Sequence, residues 1–233
     1  HEKTISLLEK FLAEHPKHDQ FTPDAMYRLA DLYLDQADDE LDKRLDANPD
    51  DPNSIADYSK SLALWEDIMV RFPSYRQAPA TLYLLAYYGK TKDERRSLQI
   101  FLALTCANKF KWSDAPFPPP GKEEVLARTS NRTLRDPYAD CQEWPGAELE
   151  LVRHAWVRGI ADYHFSVPGE IDDGIAAYLK VADGGKDSPL YAEALYKLAW
   201  SYYRRDYLRE SIDRFDESIR LYDSIVADGN NPT

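Results

Sequence analysis

The stretch that decides the fold is residues 189–226, PLYAEALYKLAWSYYRRDYLRESIDRFDESIRLYDSIV. Apolar and small residues recur in it at helical spacing: Leu195, Leu198, Ala199 and Tyr202, then Ser211, Phe215 and Ser218. The pattern reads as two amphipathic helices with a short break at residues 204–206. Small residues let two helix backbones come close, and the large ones fill the space beside them. One such hairpin cannot bury its apolar face alone, so the rest of the chain must supply neighbours.

Weaker copies of the pattern lie upstream. Leu198-Ala199-x-x-Tyr202 is echoed by Leu29-Ala30-x-x-Tyr33 after Asp24-Ala25-Met26-Tyr27, by Leu85-Ala86 after Leu82-Tyr83, and more poorly by Ile160-Ala161 after Val157. Second-helix echoes are Tyr58, Ser61, Trp65 and Ile68 closed by Pro73; Gly174, Tyr178 and Val181; and Ile5, Leu8 and Phe11 closed by Pro16, the last without a first helix. On these residues the chain resembles the tetratricopeptide repeat (TPR) family, helix-turn-helix units of about 34 residues. Its closest flavour is the bacterial envelope TPR group. The four alanines are 56, 75 and 38 residues apart, so insertions are expected within or between repeats. The resemblance implies an all-α, TPR-like helical-hairpin solenoid with insertions, and a binding style without a catalytic motif.

The chain of 233 residues is 43% hydrophobic and 12% aromatic, which suits a folded protein. Most of the 15 prolines fall between proposed helices, where a missing backbone N–H costs least. The net charge of −12 argues against nucleic acid, whose phosphates need clustered Lys and Arg. It argues equally against anionic lipid, and no apolar run is long enough to span a membrane. The chain opens on His1 with half a hairpin, so a fragment or a processed chain is expected.

Three regions and a tail follow. Residues 1–105 hold N-terminal repeats with an acidic loop insertion at 36–54. Residues 106–142 form a proline-rich insertion, 143–228 the C-terminal repeats, and 229–233 a linker. Thr22 is expected to cap the helix after Pro16. Within the acidic stretch Asp46, Asn48, Asp50 and Asp57 imitate a calcium loop. Asp51 stands where glycine is needed and Pro49 and Pro52 stiffen the backbone, so a polar loop with Asn53 or Ser54 capping a helix over 54–72 is the expectation. Helices are further expected over 77–88, 94–108, 146–165 and 170–182, the last ended by Gly184-Gly185. The only cysteines, Cys106 and Cys141, bracket the run Ala115-Pro116-Phe117-Pro118-Pro119-Pro120-Gly121. A disulfide pinning the insertion is expected, contributing on the order of 3–4 kcal/mol in the chain-entropy account; the alternative is two unrelated buried thiols. The pair favours an oxidising compartment. Asn131-Arg132-Thr133 is a glycosylation sequon, relevant only to a secreted eukaryotic protein.

No catalytic constellation stands out: GxSxG, HExxH, a P-loop and GxGxxG are all missing. His15 and His18 straddle Pro16 and do not share a helix face, and His154 and His164 have no matched acidic pair, so neither pair reads as a metal site. No cofactor is expected. By resemblance, groove-facing positions of the first helices are Tyr27, Asp31 and Leu34; Tyr83, Tyr87 and Lys90; Arg158, Asp162 and Phe165; and Tyr196, Trp200 and Tyr203 with Arg204 beside them. Tyrosine and tryptophan present rigid contact area with a polar tip, which suits peptides. Tyr27, Tyr83 and Tyr196 could equally pack between repeats. The expectation is a non-enzymatic scaffold for other proteins or peptides in a periplasmic or outer-membrane-associated complex for outer-membrane biogenesis, secretion or motility. Alternatives are a cytoplasmic TPR adaptor, or a helical enzyme or glycan binder using the acidic, aromatic concavity.

Overall fold

The computed structural model describes residues 2–49, 55–116, 121, 123, 140–142, 150–206 and 208–227, and among them every regular element is an α-helix. In chain order these are α1 (Glu2–Glu14), α2 (Phe21–Ala47), α3 (Ser59–Arg71), α4 (Ala78–Gly89), α5 (Glu94–Thr105), α6 (Glu150–Ser166), α7 (Ile171–Ala182), α8 (Tyr191–Arg204) and α9 (Leu208–Ala227). The chain divides into two compact units, His1–Ser97 and Leu98–Thr233. The division falls inside α5, eight residues before the expected boundary at 105. Within each unit consecutive helices pack on one another, the order of a helical-hairpin solenoid.

In the first unit α1 packs on α2, α2 on α3 and α3 on α4. The core holds Met26, Leu29, Ala30, Trp65, Ile68, Met69, Leu82 and Ala86. The small residues of the sequence pattern do specific work. Ala30 is buried against α3, and the Ser61 hydroxyl donates to the Ala30 carbonyl at 2.8 Å. The Ser97 hydroxyl does the same to Ala86. A serine on the second helix thus ties itself to the alanine backbone of the first, which satisfies a buried hydroxyl and fixes the register.

Three expectations are corrected here. The acidic segment is not a loop from residue 36: α2 runs on to Ala47. Good helix formers outnumber its aspartates, Gln36 donates to Glu40 at 2.8 Å, Ala37 is buried, and Asp38 accepts from Tyr58 at 2.7 Å. The helix stops just before Pro49, as proline requires. Thr22 does not cap: α2 starts at Phe21, and the Thr22 hydroxyl donates back to the His15 carbonyl at 2.6 Å, closing the Pro16 turn. Helix α3 begins at Ser59, later than expected, with the Asp57 carboxylate accepting the Ser59 N–H at 3.0 Å. Asp50, Asp51, Pro52, Asn53 and Ser54 lie outside the described residues.

In the second unit α6, α7, α8 and α9 pack in succession. Leu195, Leu198 and Ala199 of α8 are fully buried. Each such leucine contributes about 1.5–3 kcal/mol of apolar burial. Gly159 of α6 lies against Phe101 of α5, where a Cβ would come within 2.6 Å of the ring, so only glycine allows this approach. The break between α8 and α9 falls where the sequence places it. Asp206 turns the chain with φ 62°, and the Arg205 N–H still reaches the Ser201 carbonyl at 3.0 Å.

Cys106 is buried and stands at disulfide distance from Cys141, with Cα atoms 4.6 Å apart. The Ala107 N–H donates to the Gln142 carbonyl at 3.0 Å, the Asn108 amide donates to the Asp140 carbonyl at 2.9 Å, and Gln142 N–H returns to Asn108 Oδ1 at 2.9 Å. The two ends of the insertion are therefore held together by hydrogen bonds, with the two cysteines at disulfide distance. Phe117 through Pro120, the sequon at Asn131 and the tail beyond Ala227 lie outside the described residues.

Candidate functional site

The hairpins α6–α7 and α8–α9 repeat one plan, and the plan shows which groove positions are occupied. Counted from Ala161 and Ala199, Arg158, Asp162 and Phe165 of α6 correspond to Tyr196, Trp200 and Tyr203 of α8. The α6 set is engaged from within the chain. Arg158 pairs with Glu193 of α8 at 3.2 Å and lies 3.9 Å from Asp162. Asp162 accepts from the buried Tyr178 hydroxyl; burial and that carboxylate push the Tyr178 pKa far up. The Phe165 ring carries Lys197 and Arg204 at 4.9 and 4.8 Å from its centroid, and Arg204 donates to the Phe165 carbonyl. Arg205 reaches Asp172 at 2.7 Å. Arg158 and Arg204 thus hold one hairpin on the next, because each finds a partner on the neighbouring helix. His164 also has an acidic partner after all: it faces the buried Glu170 at 2.8 Å, across the α6–α7 turn.

The α8 set is open. Tyr196, Trp200 and Tyr203 are 48%, 40% and 54% exposed. Their rings form one cluster: Trp200 meets Tyr203 edge-on at 5.8 Å and Phe215 of α9 at 5.6 Å, and Phe215 meets Tyr196 at 6.2 Å. Ile212 and Ile219 of α9 are exposed and flank Phe215 at helical spacing. The sequence reading missed this α9 contribution. Its signal was the stripe Ile212, Phe215, Ile219, at i, i+3 and i+7, which is too apolar for an outer helix face.

In the first unit the predicted Tyr83 and Tyr87 cluster with Tyr88, which the sequence reading did not single out. Tyr83 and Tyr87 stack at 5.9 Å, Tyr87 meets Tyr88 edge-on at 5.1 Å, and Tyr88 in turn meets Tyr58 at 4.8 Å and Trp65 at 5.8 Å. Lys90 lies over the Tyr87 ring, 5.4 Å from its centroid. Burial raises the Tyr88 pKa, and Asp38, Tyr87, Tyr83 and Asp31 add to the rise, which places all four within electrostatic reach of its hydroxyl. Tyr58, half-buried and donating to Asp38, is pushed up to about 12. Asp31 is half-buried; burial raises its pKa, Arg28 lowers it and Asp35 raises it. Arg28 lies 4.0 Å from it. Tyr27 packs against Tyr75 at 6.4 Å and serves the joint between α2 and the α3–α4 turn, while Leu34 is half-buried.

Among the described residues no group of three or more His, Cys, Asp or Glu side chains could hold a metal ion, and no helix is long and apolar enough to cross a membrane. No protein-family model matches the chain, and no curated protein matches it.

Proposed function

We propose that this chain is a TPR-like, non-enzymatic scaffold that docks helices of partner proteins, as part of a multi-protein complex of a bacterial cell envelope. One observation carries the reading: the aromatic face of Tyr196, Trp200, Tyr203 and Phe215 is left open where the corresponding face of α6–α7 is covered by a helix. Rigid aromatic side chains around an indole make a contact surface at low entropic cost, the composition of binding hot spots. The cysteine pair at disulfide distance supports an oxidising compartment.

The test is affinity capture from solubilised bacterial envelopes with the chain and with its Trp200→Ala/Tyr203→Ala variant. Envelope proteins recovered by the first and lost with the second support the scaffold and its face together. Identical recovery by both removes this face from the function. Thiol titration of the unreduced protein addresses the compartment, for two titratable thiols would count against the envelope.

A further inference from the structure

On the helix-docking reading above, the chemistry of the docked helix follows from the hairpin that is already covered. We infer that the helix received by α8–α9 carries a carboxylate at its C-terminal end, which pairs with Arg209. The covered hairpin is the template, and one reversed charge between the two hairpins decides the chemistry.

Helix α8 seats on α6–α7 largely through its C-terminal end. Arg205, its capping residue, donates to Asp172 at 2.7 Å, and the two side chains are only 10% and 19% exposed. Arg204 lies over the Phe165 ring and donates to the Phe165 carbonyl. Glu193, in the first turn of α8, takes Arg158. Each receiving position has a counterpart on the open hairpin. Helices α7 and α9 start in the same register, at Ile171 and Leu208, three residues before Gly174 and Ser211. The second residue is Asp172 in α7 and Arg209 in α9. Phe165 becomes Tyr203, an exposed ring, and Arg158 becomes Tyr196. The ring that takes a cation is kept, the cation that takes Glu193 is lost, and the acid that takes Arg205 has become a base.

Arg209 is an odd choice for its own helix. A cation in the first turn opposes the helix dipole, and α7 fills the same turn with Asp172 and Asp173. It is exposed and makes no ion pair among the described residues. A second α8-like helix laid on this face would bring its Arg205 against Arg209. A helix with aspartate or glutamate there would meet both the guanidinium and the positive end of α9. Like charges across an interface reject one partner as opposite charges select another. The face is thereby set against a further copy of the chain's own helix and towards a partner whose helix ends in an acid.

The experiment is fluorescence anisotropy of two dye-labelled peptides on the full chain, both covering residues 191–206, one with the chain's own sequence and one with Arg205→Glu. The acidic peptide should bind about tenfold tighter. The net charge of −12 pulls the other way, towards the more basic peptide, so general attraction does not produce this order. With the Arg209→Glu chain the order should invert. With Lys3→Glu, the same charge change at an exposed position of α1, the order should stand. Trp200→Ala should weaken both peptides alike. Equal binding of the two peptides, both lost with Trp200→Ala, would overturn the inference and leave helix docking in place, as would an order that Arg209→Glu does not change. Tighter binding of the chain's own sequence would overturn it in favour of a second copy. Binding of neither peptide would overturn it and count against the docking reading as well.

Discussion

Hairpins α6–α7 and α8–α9 follow the same plan and meet opposite environments. Counted from Gly174 and Ser211, Ile175, Tyr178 and Val181 of α7 correspond to Ile212, Phe215 and Ser218 of α9. Under α8, Ile175 is 0% exposed, whereas Ile212 is 59% exposed. The same apolar position is thus core in one hairpin and surface in the next. A repeated unit buries its face only through a neighbour, and under the function proposed above the bare copy is where a partner helix docks. The covered copy also shows how: by small and large apolar residues in the middle, with Glu193, Lys197, Arg204 and Arg205 gripping Arg158, Phe165 and Asp172 at the edges.

The comparison breaks most visibly with a charge. Ile175→Asp should cost more than about 4 kcal/mol, enough to unfold the second unit, because the carboxylate is buried without a partner. Ile212→Asp should stay within about 0.5 kcal/mol of the parent in chemical denaturation. Equal losses would mean that α9 is covered in solution as α7 is. Next in size, Ala199→Leu should overpack the α8 side of the joint and cost roughly 1–3 kcal/mol; an unchanged Tm would contradict close helix approach there. Smaller still, Ser61→Ala should cost about 1 kcal/mol by leaving α3 untied from the Ala30 carbonyl, read as a lower denaturation midpoint at unchanged slope.

The smallest effect concerns the other unit. The Asp31 carboxyl is held above its ordinary value, so the folded chain binds that proton more tightly than the unfolded one. That favours folding at low pH and becomes a cost as pH rises through the raised value. Asp31→Asn should therefore raise Tm slightly at about pH 7 and lose the advantage towards about pH 3. A Tm lowered at neutral pH would show that the carboxylate is satisfied from within the fold.

The helices were legible where apolar spacing was strict. Residues 189–226 gave both helices and the break at Arg204 to Asp206, because Leu195, Leu198, Ala199 and Tyr202 leave one face no alternative to burial. The extension of α2 was not legible, because twelve mostly polar residues carry little hydrophobic period, and the helix is held there by Asp38, Arg44 and a single buried alanine. Ser97 was overlooked for a related reason: a hydroxyl's role as a tie to Ala86 depends on which backbone comes near it, and no spacing rule encodes that. Among site residues, the aromatic identity of Tyr196, Trp200 and Tyr203 was readable. The engagement of Arg158 and Arg204 was not, since both are satisfied by residues 35 and 39 positions away.

The most direct measurement is site-specific photo-crosslinking with benzoylphenylalanine at position 212, and at position 7 as an equally exposed apolar control on α1. The account predicts that position 212, in a bacterial envelope preparation, crosslinks to a discrete partner through a helical segment, and that Trp200→Ala removes the adduct while position 7 yields none. The same adducts from both positions, or none from position 212, would contradict a helix-docking face on α8–α9.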